Sequence, residues 1–286
     1  MLAFTHQCGV IFPPLAVALI AALLLARGGE GTPRDAKESK ASIAAAGLVV
    51  GIAILTRPVM IFFVPLGAAW TWRRRGLATA VLFTVIAAAC VFPWTIRNHR
   101  VYGRWMAVAS EGGVTFWTGN HPLAVGDGDL AANPRIKEAE LAFRGAHADL
   151  TPEQLEPLYY RDALAWIRRE PIAWLALVAR KAFYTIVPAG PSYALHSTKY
   201  VVASVVSYVL VLVAAIAGAL RWRAGGRSAS SLAPLWLMAA ATVAAGLVFF
   251  PQERFRIPVI DPALIVTAAL TAGLRNHERT DRHPDL

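Results

Sequence analysis

Long apolar runs without charge alternate along this chain with short basic clusters, a pattern that predicts membrane-length helices. The runs cover residues 4–26, 41–56, 59–72, 76–92, 200–220, 232–250 and 257–274. A helix needs roughly 20 apolar residues to cross a hydrocarbon core of about 30 Å at 1.5 Å per residue. Two runs fall short: 41–56 and 59–72 would reach only about 21 to 24 Å. They are separated by Arg57-Pro58 and closed by Arg73-Arg74-Arg75. Pro58 has no amide proton and disfavours helix at the residue before it, so the two runs read as a helical pair broken at 57–58. No Lys or Arg precedes the run at 4–26, so it reads as a retained helix and not as a secretory leader. Residues 27–40 mix charges with Gly28, Gly29, Gly31 and Pro33, the make-up of a solvent loop.

Residues 96–199 depart from this pattern. Val101 to Ala109 and Val114 to Thr118 read as strands, with a turn at Gly112-Gly113. Thr151-Pro152-Glu153-Gln154 marks a helix start, with Thr as N-cap, Pro in the first turn and Gln at the capping-box position. Leu155, Leu158, Tyr159, Asp162, Trp166 and Ile167 then recur at helical spacing. Residues 171–187 are too short and, with Arg180 and Lys181, too charged to span, which places them along a membrane surface.

Composition supports the bilayer as solvent. Of 286 residues, 56% are hydrophobic and 16% charged, whereas soluble domains carry about 25% charged residues. The expected fold is an all-α integral membrane protein, a multi-span bundle with a small mixed α/β insert outside the cytoplasm. Its parts are membrane helices in 1–95, an extracytoplasmic domain at 96–199 with an interfacial helix at 171–187, membrane helices in 200–275, and a cytoplasmic tail at 276–286. The net charge of +10 would suggest nucleic acid in a soluble protein, but here the Lys and Arg residues flank apolar runs. Membrane lipids are the expected partners, and nucleic acid is not. The basic stretches at 27–40, 73–75, 221–227 and 275–282 fall on one side if the spans alternate, which assigns that side to the cytoplasm. An odd number of spans then puts Met1 outside. Cys8 and Cys90 sit far apart in apolar surroundings, so neither a disulfide framework nor a zinc site is expected.

Four segments, in order, carry a resemblance. They are Gly51-Ile52-Ala53-Ile54-Leu55-Thr56-Arg57-Pro58; Pro93-Trp94-Thr95-Ile96-Arg97-Asn98-His99-Arg100-Val101-Tyr102-Gly103; Gly112-Gly113-Val114-Thr115-Phe116-Trp117-Thr118-Gly119-Asn120-His121-Pro122; and Glu253-Arg254-Phe255-Arg256-Ile257-Pro258-Val259-Ile260-Asp261-Pro262. Together they resemble the superfamily of polyprenyl-phosphate-sugar glycosyltransferases with the GT-C fold, which includes dolichyl-phosphate-mannose protein mannosyltransferases. The resemblance covers about residues 41–275. It implies transfer of a sugar from a polyprenyl-phosphate donor to a glycan, lipid or protein acceptor outside the cytoplasm, at a plasma or inner membrane, with no cofactor. In that superfamily the catalytic acid lies in a first outer loop near an Asp/Glu pair. No such loop precedes residue 4, so the catalytic residue stays unassigned, and an N-terminally truncated or partial enzyme is expected to bind donor without transferring sugar.

Arg57 is the sharpest candidate, since its helix ends just inside the outer hydrocarbon boundary, where a cation needs an anionic partner. A lipid phosphate would fit the guanidinium fork; snorkelling to headgroups or pairing with Asp261 is the alternative. Arg97, Arg254 and Arg256 flank outer span ends and complete the donor-phosphate set. Glu253 and Asp261 could orient an arginine or an acceptor hydroxyl, or simply pair with arginines. Asn98 and Asn120 could bond sugar hydroxyls, or form turns. Asp127-Gly128-Asp129 reads as a turn, and His99, His121 and His196 lack ligand spacing, so no metal site is expected. Two other readings stay open: a lipid-linked-substrate transporter or flippase, and a noncatalytic membrane subunit.

Overall fold

The computed structural model describes residues 33–108, 111–187, 190–224, 233–251, 260, 263–265 and 267–268. They are mostly helical, and no strand occurs among them. Helix α1 (Pro33–Thr56) stops where the sequence requires it to. Arg57, held by Pro58, takes an extended conformation with φ −144° and ψ 103°, and a short 3₁₀ turn (Pro58–Phe62) follows. The chain then reverses through α2 (Phe63–Arg75), which ends at Gly76, φ +86°.

Helix α3 (Leu77–Tyr102) runs straight through Pro93 and closes on Gly103, whose left-handed φ of +69° lets its amide bond His99 O. The helix thus continues past Phe92, where the apolar run ends, to Tyr102. The ten residues from Pro93 stay helical because their side chains are fastened to the returning chain. Trp94 Nε1 donates to Val108 O at 3.0 Å and Thr95 Oγ1 to Ala107 O at 3.0 Å. Asn98 Nδ2 donates to Met106 O and Val108 O at 3.3 and 3.2 Å.

The mixed α/β insert is likewise corrected, because the described part of 96–199 is helical. Val101 and Tyr102 finish α3, residues 103–108 are irregular, and Val114–Thr118 lies inside α4 (Gly112–Gly119). Gly112 and Gly113 open this helix instead of forming a hairpin turn. A Cβ on Gly113 would lie 2.5 Å from Glu156 O, so only glycine admits the approach. Helices α5 (Pro134–Gly145), α6 (Pro152–Arg169) and α7 (Pro171–Ile186) complete this cap. At the start of α6 the Gln154 side chain accepts from the Thr151 amide at 2.9 Å. Buried Leu155, Tyr159, Ala163 and Trp166 form the inner face of α6. Trp117, Ile136, Leu155, Tyr159 and Ala163 make the cap's own core.

Helices α8 (Thr198–Ala224) and α9 (Ala233–Val248) follow. Tyr208 and Ala215 of α8 and Met238, Ala239 and Ala241 of α9 join Ile43, Val50, Ile54, Phe63 and Phe83 in the larger core. Among the described residues, two helices are long and apolar enough to cross a membrane: Leu77–Tyr102 and Thr198–Arg221, with mean hydropathies of 2.1 and 2.5.

Candidate functional site

Helices α1 and α3 lie side by side and run parallel. A Cβ on Gly47 would meet Phe83 O at 2.7 Å, and one on Gly51 would meet Cys90 Cβ at 2.5 Å and Ala87 O at 2.9 Å. Glycine at both positions lets the backbones touch, as small residues four apart do in membrane helix pairs. The contact advances four residues on each helix. Carried six residues further at equal rise, it brings the break at Arg57 about level with Pro93–Ile96. The parallel packing thus puts Arg57 and Arg97 at the same end of the larger core.

Each arginine is held differently. Arg57 is half-buried, its amide bonded to Ala53 O at 2.7 Å and its carbonyl to the Met60 amide at 3.0 Å. Arg97 is exposed, with its guanidinium carbon 5.0 Å from the Trp94 ring centroid and 5.7 Å from that of Tyr102. Its Nη1 donates to Asn98 Oδ1 at 3.2 Å. Two rings and an amide orient this cation while leaving it open to solvent. Arg100 and Arg104, both exposed, add charge at the same helix end. Such an end can receive an anion through several N–H donors in fixed directions.

The 3₁₀ turn after Arg57 connects to the cap through a line of rings. Phe62 meets Phe249 edge-on at 6.1 Å, and Phe249 meets Phe116 of α4 at 6.2 Å. Just beyond lies the most densely bonded polar group described. Asn120, buried, donates through Nδ2 to Phe116 O and Val248 O at 2.9 and 2.8 Å. Its Oδ1 accepts from Trp174 Nε1 and Lys181 Nζ, each at 3.0 Å. Lys181, fully buried, also donates to Leu247 O at 3.1 Å. The carbonyls of Leu247 and Val248 at the end of α9, which have no partner within their own helix, are thereby satisfied by Lys181 of α7 and by Asn120 just after α4. Burial pushes the Lys181 ammonium down to about 7.

The asparagines singled out in the sequence are therefore fasteners. Both donors and the oxygen of Asn120 are taken up inside the protein, and Asn98 holds residues 106–108. Asp127 and Asp129 are occupied as well: Asp127 accepts from the amides of Asp129 and Ser192, and Asp129 from that of Ala131. No group of His, Cys, Asp or Glu that could hold a metal ion occurs among the described residues. Glu253, Arg254, Arg256 and Asp261 lie outside the described residues.

Lys181 is the residue that sequence reasoning passed over. One signal existed: it stands four residues from Leu177 and from Thr185, on the buried line of α7, whereas Arg180 does not. Elsewhere in the cap, Glu156 Oε1 accepts from the Gly113 amide at 3.2 Å, and burial raises its carboxyl above the usual range against the pull of the Gly113 and Gly112 amides. Burial lowers His121, whose ring lies tilted against that of Trp117, and nearby Asp162 opposes that shift.

The described residues define a mostly helical protein, with two helices among them able, by length and composition, to cross a membrane, and with a helical cap over one end. Compared with known proteins, the chain matches no family model, no curated sequence and no solved structure.

Proposed function

We propose that the chain is a multi-pass protein of the plasma (inner) membrane, with residues 96–199 outside the cytoplasm. There it binds a polyprenyl-phosphate-linked sugar for transfer to a glycan, lipid or protein acceptor. The observation that carries this reading is the common level of Arg57 and Arg97 at the capped end of α1 and α3. One cation sits at a break in an apolar helix and the other is oriented by aromatic rings, which suits a phosphate held at the edge of the hydrocarbon.

Two features support the membrane setting. Only 22% of the most apolar window of α3 and 17% of that of α8 are buried within the protein. Val81, Val85 and Phe92 on α3, and Val202, Val206, Leu210 and Val213 on α8, are exposed. Side chains of this kind have lipid as their natural surroundings. Arg73–Arg75 and Arg221 lie at the ends of α2 and α8 away from the cap, and in this reading they serve as the cytoplasmic flanks.

The test is binding of a short-chain polyprenyl phosphate to the full chain in lipid nanodiscs. Arg57→Ala should weaken binding about tenfold, the worth of about one charge-assisted hydrogen bond. Arg223→Ala, at the other end of α8, should change it less than about twofold. Equal losses in the two variants would refute the phosphate site.

A further inference from the structure

Helix α7 has two faces of opposite use. Trp174, Leu177, Lys181 and Thr185 turn inward. Ile172, Leu175, Phe183 and Ile186 recur along the outer face and are 82, 58, 53 and 51% exposed, with Ala176 and Ala179 exposed between them. Four large apolar side chains in one stripe form a surface that water does not favour and that soluble proteins rarely display. Exposed Arg180 borders the stripe, and exposed Arg168 and Arg169 stand just ahead of it. Glu170 is the acid at its start, and α7 itself carries none.

The helix is also fixed at a definite height. Lys181 Nζ bonds Leu247 O in the last turn of α9, and Trp174 reaches α9 through Asn120, whose Nδ2 bonds Val248 O. The inner face of α7 is therefore pinned where an apolar helix ends. On the membrane reading proposed above, on which this inference rests, that height is the boundary between headgroups and acyl chains.

We propose that the outer stripe of α7 is a membrane-docking surface whose partner is a bilayer leaflet carrying acidic phospholipids. Ile172, Leu175, Phe183 and Ile186 enter the upper acyl region, and Arg168, Arg169 and Arg180 take the lipid phosphates. The stripe supplies the apolar depth and the arginines the complementary charge, the division of labour of an interfacial helix. The cap is thereby held down on the leaflet beside the arginine end of α1 and α3, which limits how far a phosphate carried by lipid must rise to reach Arg57 and Arg97.

The experiment places an environment-sensitive fluorophore on single cysteines in the full chain, with Cys8 and Cys90 replaced by alanine. The protein is held in nanodiscs of phosphatidylcholine with phosphatidylglycerol. The labelled variants are Leu175→Cys and Phe183→Cys on the stripe, Leu164→Cys on the exposed side of α6, and Val85→Cys midway along α3. Labels at 175 and 183 should be quenched by lipids spin-labelled near the headgroup at least about twice as strongly as by lipids labelled deep in the chain, and should resist aqueous iodide. The label at 164 should be open to iodide, and that at 85 should respond to deep quenchers. If 175 and 183 are as open to iodide as 164 while 85 remains in lipid, the docking surface is overturned and the membrane reading stands. If 85 is also open to iodide, both fall.

Discussion

Replacing Lys181 by methionine tests the buried end of α9 most directly. The substitution keeps most of the apolar stem and removes the ammonium that bonds Asn120 Oδ1 and Leu247 O. Asn120 Oδ1 retains Trp174, but Leu247 O loses its donor, a loss of about 1 to 3 kcal/mol for a buried carbonyl. Against this stands the cost of keeping a cation out of water. An ordinary lysine titrates at 10.5, and Lys181 is lowered to about 7. Between those values the unfolded chain holds the proton and the folded one does not, so stability of the wild type rises with pH across that window and is reduced below it. The gap corresponds to at most about 5 kcal/mol, and the partial negative charge at the C-terminus of α9 favours the ammonium and trims it to about 3 kcal/mol. The variant should therefore be about 2 kcal/mol less stable than wild type at pH 10 and at least as stable at pH 6.5. Thermal unfolding of both proteins in one detergent, followed across this range, would show the two Tm curves crossing, with the wild type gaining about 6 °C relative to the variant. A constant offset between the curves at every pH would refute the argument.

Two further outcomes follow from the packing. Gly51→Val drives a side chain into Cys90 and the Ala87 carbonyl and should lower stability by about 1 to 3 kcal/mol, whereas Gly145→Ala, with nothing within 4 Å of the new methyl, should be neutral or slightly stabilising; thermal unfolding checks both, and equal effects would remove the close approach of α1 and α3. Asn98→Ala frees the carbonyl of Met106 and leaves that of Val108 to Trp94 alone, so amide hydrogen exchange over residues 104–108 should quicken by about tenfold, the worth of about 1.4 kcal/mol of local stability; unchanged protection there would mean that Trp94 and Thr95 suffice to hold the segment.

The parts of the fold legible in the sequence are those governed by one or two neighbouring residues. Pro58 dictates the break at Arg57 through local sterics, and Thr151 with Gln154 dictates the start of α6 through a four-residue bond pattern. The misread parts are governed from a distance. Val114 to Thr118 alternates too briefly to separate strand from helix, and what settles it is Glu156, packed against Gly113 from α6. The continuation of α3 past Pro93 depends on bonds to residues 106–108 that only a folded return can make. The site divides in the same way. Arg57 and Arg97 stand out as charges beside apolar runs, but their common level requires the parallel contact through Gly47 and Gly51. The Lys181 bonds reach across 61 and 66 residues, and no local pattern contains them.

The capped end also poses an electrostatic question that separates two uses for its cations. Helices α1, α3 and α9 all finish there, and each C-terminus carries about half a negative charge on unpaired carbonyls. Left alone, three such ends would repel an anionic lipid head. Arg57 follows α1, Arg97 and Arg100 lie in the last turns of α3, and Lys181, a cation below about pH 7, bonds the last turn of α9, so in that range each helix end has a cation beside it. If neutralising the helix ends were the whole purpose, Arg57→Ala would lower Tm and Arg57→Lys would restore it, with polyprenyl-phosphate binding changing only in step with stability. If the guanidinium holds the phosphate, Arg57→Ala weakens binding with Tm nearly unchanged, and Arg57→Lys recovers only part of it, because an ammonium cannot offer the two parallel donors of the fork. Lys181, buried and bonded on both sides, belongs to the first use; Arg97, exposed and oriented by Trp94 and Tyr102, is built for the second. A binding loss in Lys181→Met as large as that in Arg97→Ala, at a pH where both variants are fully folded, would erase this division and with it the case for a phosphate site distinct from the scaffold that supports it.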